Sequence, residues 1–218
     1  MKKNFKVLTL SLAFIMSMAL LISCSKKPTE TSPSPGEYIK FYMDLAVKSE
    51  MGDSKKLGIS NDEVKQFTNE LDKRFSEGIA SDASGIDKET LNKLVDSLRR
   101  GMTKIKYDIN TVNVDKENAK VEIVVNPMIL DRKELTPDKI VSESEMKELA
   151  KEYKTKDAFM KKVMELATSK MCKYFENPNI SDEAKKITID LKLENNEWKE
   201  VKEGPFKDFI NNNLVIYK

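Results

Sequence analysis

Two cysteines, Cys24 and Cys172, are the side chains of this sequence with the clearest capacity for covalent chemistry. A thiolate is a soft nucleophile that can be alkylated, acylated or oxidised. The sequence contains no histidine, which excludes histidine-based catalytic triads, histidine metal sites and imidazole proton relays. The chemistry available to the chain is therefore that of two thiols and of its carboxylates.

The segment that precedes Cys24 has the pattern of a secretory signal. Lys2, Lys3 and Lys6 form a basic start, and an apolar run over Val7–Ile22 follows. A basic start and a short apolar run are typical of a signal peptide, and a membrane-spanning helix needs about 20 apolar residues. We therefore predict that the segment directs export and does not span the membrane.

The segment ends in Leu21-Ile22-Ser23-Cys24, which resembles the lipobox of bacterial lipoproteins. The resemblance implies a diacylglycerol thioether on Cys24, cleavage between Ser23 and Cys24, and N-acylation. Two acyl chains anchor a protein more firmly than one. The expected location is the outer face of the cytoplasmic membrane, with the membrane as a partner through the lipid. The alternative is an N-terminal membrane anchor with an incidental cysteine.

Cys172 has no partner for an internal disulfide once Cys24 carries lipid. It lies within a helical pattern, in Met171-Cys172-Lys173-Tyr174-Phe175. Without a histidine to activate it, we predict that it is a small buried packing residue rather than a catalytic or redox thiol. The sequence predicts no catalytic, cofactor-binding or metal-binding residue, and we expect no enzyme.

The charge balance argues against nucleic acid as a partner. Lys and Arg number 38 against 36 Asp and Glu, and residues 1–23 contain three of the lysines and no acid. The exported chain is therefore close to neutral, and it has no basic stripe that would follow phosphates.

The sequence divides into a signal peptide (1–23), a flexible tether (24–33) and a single α+β domain (34–218). Ser34, Ser60 and Ser142 each precede a glutamate by three positions, which predicts three helix N-termini with capping boxes. Gly78 interrupts the second helical pattern. A loop is predicted over 129–141, followed by a long helical stretch to about Phe175 that Thr155 divides.

Strict alternation of apolar and polar residues predicts two hairpins, over residues 105–125 and 187–201. Asn195-Asn196 is predicted to form the turn of the second hairpin, because asparagine tolerates positive φ, and Trp198 and Val201 are predicted on its return strand. The alternation slips near Asn110 or Thr111, which indicates a bulge. Helices and strands occur in separate runs, and this order is typical of an α+β fold with antiparallel strands.

The second hairpin resembles that of nuclear-transport-factor-2-like (cystatin-like) domains, found in Gram-positive lipoproteins of unknown function. The resemblance rests on Asn195, Asn196, Trp198 and the alternating strand before them. It implies N-terminal helices packed on a curved antiparallel sheet that encloses a ligand-binding cone, here with a long helical insertion between the hairpins. It implies no shared catalytic residues.

Three functions remain open. The first is an extracytoplasmic binding or interaction protein that takes a small molecule or an envelope protein, and the second is an accessory structural lipoprotein of envelope or spore assembly. A carboxylate-based hydrolase is least favoured, because inward strand positions are apolar. The parity of the strands places Asp108, Glu122, Asp190 and Glu194 on the opposite, solvent-facing side.

Overall fold

The first two helices begin where Ser34 and Ser60 predict. The structure, a computed structural model, describes residues 33–82 and 86–218. Helix α1 spans Pro35–Lys48, α2 spans Asn61–Asp82 and α3 spans Lys88–Met102. The Ser34 and Ser60 hydroxyls accept backbone hydrogen bonds from Glu37 and Glu63 at 3.1 and 3.2 Å, and each glutamate carboxylate accepts from its serine N–H. Both predicted capping boxes are confirmed.

Helix α2 continues through Gly78, so the predicted interruption at this residue is wrong. A glycine inside a helix costs about 1 kcal/mol relative to alanine, which does not by itself end a helix. Leu71 and Ile79 lie on the buried face of α2 on either side of Gly78. Their packing offsets the low helix propensity of the glycine.

Within the described part of the chain, seven strands form two sheets. They are β1 (Lys106–Asp115), β2 (Asn118–Asn126), β3 (Met128–Leu130), β4 (Asn179–Ile180), β5 (Lys185–Glu194), β6 (Glu197–Glu200) and β7 (Val215–Tyr217). The larger sheet is antiparallel with the order β1-β2-β5-β6, so the two predicted hairpins lie side by side. The smaller sheet has the order β4-β3-β7.

The two hairpins have the predicted irregularity and the predicted turn. The register of β1 against β2 shifts between Thr111 and Asn113, next to the position where the alternation slips. Val112, between them, is 62% exposed. Asn195 and Asn196 connect β5 to β6 with φ angles of 52° and 69°, a conformation that asparagine tolerates better than most residues.

The segment between the hairpins contains three helices: α4 (Pro137–Ile140), α5 (Glu143–Glu152) and α6 (Lys156–Glu176). Ser142 and Glu145 form the third capping box, and Thr155 caps α6, as predicted. The predicted loop over 129–141 is wrong at its start, because β3 pairs in parallel with β7 near the end of the chain. It is also wrong near its end, where Pro137–Ile140 form α4. Helix α7 (Pro205–Asn213) precedes β7.

Apolar side chains fill the space between α1 and the inner face of the larger sheet. Ile39 and Met43 of α1 are fully buried, and they belong to one core with Val121, Ile123 and Ile189 of β2 and β5. The described residues belong to one compact unit. The predicted α+β fold is confirmed.

Candidate functional site: a groove between α3 and α6

Helices α3 and α6 run in the same direction and lie closest near their C-terminal ends. The Sγ atom of Cys172 is 3.8 Å from the carbonyl oxygen of Lys93, and Gly101 faces the backbone of Phe175 further along both helices. A Cβ atom on Gly101 would lie 1.9 Å from the Phe175 carbonyl oxygen. The close approach of the two helices therefore requires glycine at this position.

A polar network joins the helices beside this contact. Arg100 donates from Nε to the Glu176 carboxylate at 2.9 Å and from Nη2 to the hydroxyl of Ser97 at 2.8 Å. Ser97 is fully buried, and its hydroxyl is 3.3 Å from the same carboxylate oxygen. Hydrogen bonding by Arg100 lowers the pKa of Glu176. The network holds the C-terminal ends of α3 and α6 together.

Beside this contact the two helices enclose an open groove of about 850 Å³. This is the size range of small-ligand sites. We call it the α3–α6 groove. Its walls include Thr90, Lys93 and Asp96 of α3, and Lys161, Met164, Glu165, Thr168, Ser169 and Cys172 of α6.

Several charged side chains of the groove are in ion pairs, and three are not paired within the described residues: Asp87, Asp96 and Lys161. The Asp87 carboxylate caps α3 by accepting hydrogen bonds from the backbone N–H and the hydroxyl of Thr90. Glu89 lies 2.7 Å from Lys93, and Glu165 lies 2.6 Å from Lys162, whose hydrogen bond lowers the pKa of Glu165. Asp96 on one wall and Lys161 on the other are exposed and form no ion pair with any residue in 33–82 or 86–218. The groove thus presents an available carboxylate opposite an available ammonium group.

The structure locates some of the residues singled out from the sequence. Ser23 and Cys24 lie outside the described residues. Cys172 is half-buried in the wall of the groove rather than fully buried. Within residues 33–82 and 86–218, no helix is long and apolar enough to span a membrane. In the same ranges, no three His, Cys, Asp or Glu side chains are grouped closely enough to hold a metal ion.

The acids expected on the outer face of the sheet are exposed, apart from Glu122, which is half-buried. Asp190 is 3.1 Å from Lys120 of the neighbouring strand. Glu200 departs from the expectation that inward strand positions are apolar. It pairs with Leu191, which is fully buried on the inner face, and Glu200 itself is half-buried there.

Glu200 belongs to a tyrosine–glutamate cluster of Tyr38, Tyr42, Glu63, Glu197 and Glu200 at one end of the larger sheet. Burial raises the pKa of the Tyr38 phenol to about 12 and also raises that of Tyr42. Burial raises the pKa of Glu197, with Glu63 adding to the shift, and burial raises the pKa of Glu200. Burial therefore disfavours the ionised forms of Glu197 and Glu200 in the folded protein.

Replacing Glu200 by glutamine is expected to raise the free energy of unfolding at pH 7. Because the folded state raises the pKa of this carboxyl, its ionised form destabilises the fold above about pH 4.3, the ordinary glutamate pKa. The amide keeps an oxygen that accepts from the Phe206 N–H, now at 3.2 Å. Urea unfolding from pH 3 to pH 8 should show a gain at neutral pH that disappears in acid.

The control for this measurement is Glu148→Gln, which removes an exposed carboxylate from α5. A gain of the same size for the control, or a gain for Glu200→Gln that persists unchanged in acid, would contradict the explanation by burial.

Sequence patterns did not identify the α3–α6 groove, because its walls come from helices more than 50 residues apart in the chain. One signal was present. Ser97 and Gly101 are four residues apart and therefore lie on one face of α3. Small residues at this spacing allow a second helix to approach closely, but they do not identify which helix that is.

The fold and the groove define an α+β domain that carries an open polar site on its helical side. The chain belongs to the family described as a domain of unknown function (DUF5105), whose sequence profile matches residues 33–208. The curated proteins compared with the chain include no match.

A solved structure supports the fold. It is the crystal structure of a Bacillus subtilis protein described as a lipoprotein (ycdA), with a TM-score of 0.57 and 17% sequence identity. The match covers 83% of this chain and 56% of that chain, so this protein spans little more than half the length of its structural neighbour.

Proposed function

We propose that this protein is a lipid-anchored extracytoplasmic binding protein whose ligand or partner occupies the α3–α6 groove. The lipobox-like Leu21-Ile22-Ser23-Cys24 sequence supports lipid attachment at Cys24 and cleavage after Ser23. The lipoprotein description of the structural neighbour agrees with this anchoring. The groove supports binding, since it has the volume of a ligand site and available charges on both walls.

The filled interior is the observation that supports our proposal of binding at the groove. In a nuclear-transport-factor-2-like domain, a ligand would enter between the N-terminal helix and the concave sheet. That assignment stays a prediction for this chain. Ile39, Met43, Val121 and Ile123 occupy the corresponding space and are fully buried. Binding at the α3–α6 groove needs no rearrangement of this core.

An accessory structural role in envelope or spore assembly is the second candidate. Met160 and Met164 of α6 are 46% and 42% exposed, and methionine side chains adapt to varied protein surfaces. In that case the groove, with Met164 in its wall, and the exposed Met160 of the same helix would contact another envelope protein.

The proposal includes no catalytic activity. The sequence contains no histidine that could act as a base toward the Cys172 thiol or work with a carboxylate of the groove. Glu200 is an inward-facing acid, which the sequence argument against a carboxylate hydrolase did not foresee. The tyrosines near it have raised pKa values and are protonated at neutral pH, so they do not supply a base.

A photoreactive benzoylphenylalanine at Met164 is expected to capture the occupant of the groove in living cells. The full chain would be irradiated in cells, purified and measured by intact-mass spectrometry. A small added mass would identify a small ligand, and a large one would identify a protein partner and favour the structural role.

The matched control carries the same group at Thr188, which is exposed on the outer face of the sheet. We expect no adduct there. Equal capture at Thr188 and Met164, or capture at neither position, would contradict binding at the groove.

A further inference from the structure

We propose that the occupant of the α3–α6 groove is a short peptide segment that carries one positive and one negative charge. This inference rests on the proposed function, and it adds the chemical class of the ligand. It follows from three properties of the groove: its charges, its hydrogen-bonding groups and the absence of aromatic side chains among its described lining residues.

The two available charges require a ligand with both signs. Asp96 and Lys161 lie on opposite walls and form no ion pair within the described ranges, whereas Lys93 is already paired with Glu89. A ligand of one sign would pair with only one of these two exposed side chains, of which Lys161 adds to the lowering of the pKa of Glu165 by Lys162 on the same helix. A ligand with an ammonium or guanidinium group near Asp96 and a carboxylate near Lys161 satisfies both.

Hydroxyl groups in the same groove suit a peptide backbone. The Thr168 hydroxyl donates to the Met164 carbonyl at 2.8 Å, and its oxygen can still accept from a ligand N–H. Ser169 is exposed in the same wall and can donate as well as accept. The side chains of Met164 and Cys172 offer apolar contact for small aliphatic residues.

Sugars and nucleobases fit the groove less well. Their recognition commonly relies on stacking against aromatic rings, and none of the described lining residues is aromatic. The groove is also open to solvent and about 850 Å³ in volume, which accommodates a segment of several residues.

Calorimetric titration of the full chain in detergent tests the proposal with defined probes. Acetyl-Lys-Ala-Ala-Glu-amide at up to about 5 mM should bind, and acetyl-tetraalanine-amide should bind at least about 10-fold more weakly. Probes that retain a single charge, with Gln in place of either Lys or Glu, should give intermediate affinity. Absence of binding by the doubly charged peptide, or equal binding of the neutral one, would overturn the proposal.

Variants of the two walls assign the binding to the groove. Asp96→Asn and Lys161→Gln should each lower the affinity at least about 10-fold. The exposed Lys173 of α6 lies outside the groove lining, so Lys173→Gln should leave the affinity unchanged. Exchange of the two charges, Asp96→Lys with Lys161→Glu, should restore binding that each single reversal removes. Failure of this rescue would contradict recognition by paired charges.

Two further outcomes separate this inference from the proposed function. Phosphocholine also carries both charges, and binding of phosphocholine as tight as that of the peptide would replace a peptide with a lipid headgroup as the ligand. Capture at Met164 in cells without binding of any charged peptide would overturn the ligand class and leave the proposed function intact. If Met164 captured nothing in cells and no charged peptide bound, both the ligand class and the proposed function would be contradicted.

Discussion

Replacing Gly101 by alanine is expected to lower the free energy of unfolding by about 3 kcal/mol or more. The added Cβ would lie 1.9 Å from the Phe175 carbonyl oxygen and 3.0 Å from its carbonyl carbon. Both atoms belong to the backbone of α6, so a side-chain rotation cannot relieve the overlap. The helices must separate, and separation breaks the hydrogen bonds among Ser97, Arg100 and Glu176.

Gly78→Ala provides the matched control, because Gly78 also lies inside a helix. Among the residues that the structure describes, its added Cβ would meet the Tyr217 hydroxyl at 3.8 Å, which is an ordinary contact. Alanine has the higher helix propensity, so this variant should gain about 0.5–1 kcal/mol. Guanidinium unfolding followed by circular dichroism measures both. A Gly101→Ala variant as stable as the wild type would contradict the close packing of α3 on α6.

The elements that sequence reasoning identified are those that short-range chemistry determines. A capping box involves residues three positions apart, so Ser34, Ser60 and Ser142 predicted their helices independently of tertiary contacts. Alternation likewise predicted both hairpins, because the side-chain period of a strand is a local property. Asn195 and Asn196 marked the second turn through their tolerance of positive φ.

The features that sequence reasoning missed depend on residues far apart in the chain. Strand β3 is three residues long and forms by pairing with β7, near the C-terminus. Three residues are too few for a periodic pattern. In the sequence, Asp96 and Lys161 cannot be told from other charged residues on the exposed side of a helix. The packing of α3 on α6 places them across one groove.

Sequence reasoning also missed the inward position of Glu200, although part of the alternating strand pattern was present around it. Strand β6 contains only four residues, and the prediction named Trp198 and Val201 on this strand. Trp198 is buried, whereas Val201 lies beyond the strand and is 63% exposed. The parity of Trp198 also applies to Glu200, two positions later, which places the acid on the inner side.

Replacing Cys24 by alanine is expected to abolish lipid attachment completely. The thiol is the acceptor of the diacylglycerol group that the lipobox resemblance implies, and alanine has no nucleophile. Cells labelled with radioactive palmitate should incorporate it into the wild-type chain and not into this variant. Mass spectrometry of the wild-type N-terminus should find a modified Cys24 with residues 1–23 removed, and globomycin should block that removal.

Cys172→Ser is the control for the loss of lipid, since it removes the other thiol of the chain. It should retain palmitate, N-terminal processing and partition into the detergent phase, whereas Cys24→Ala should lose all three. Retention of the Cys24→Ala variant in the detergent phase, together with an intact N-terminus in the wild type, would favour an N-terminal membrane anchor. Palmitate on Cys24→Ala but not on Cys172→Ser would reassign the lipid to Cys172.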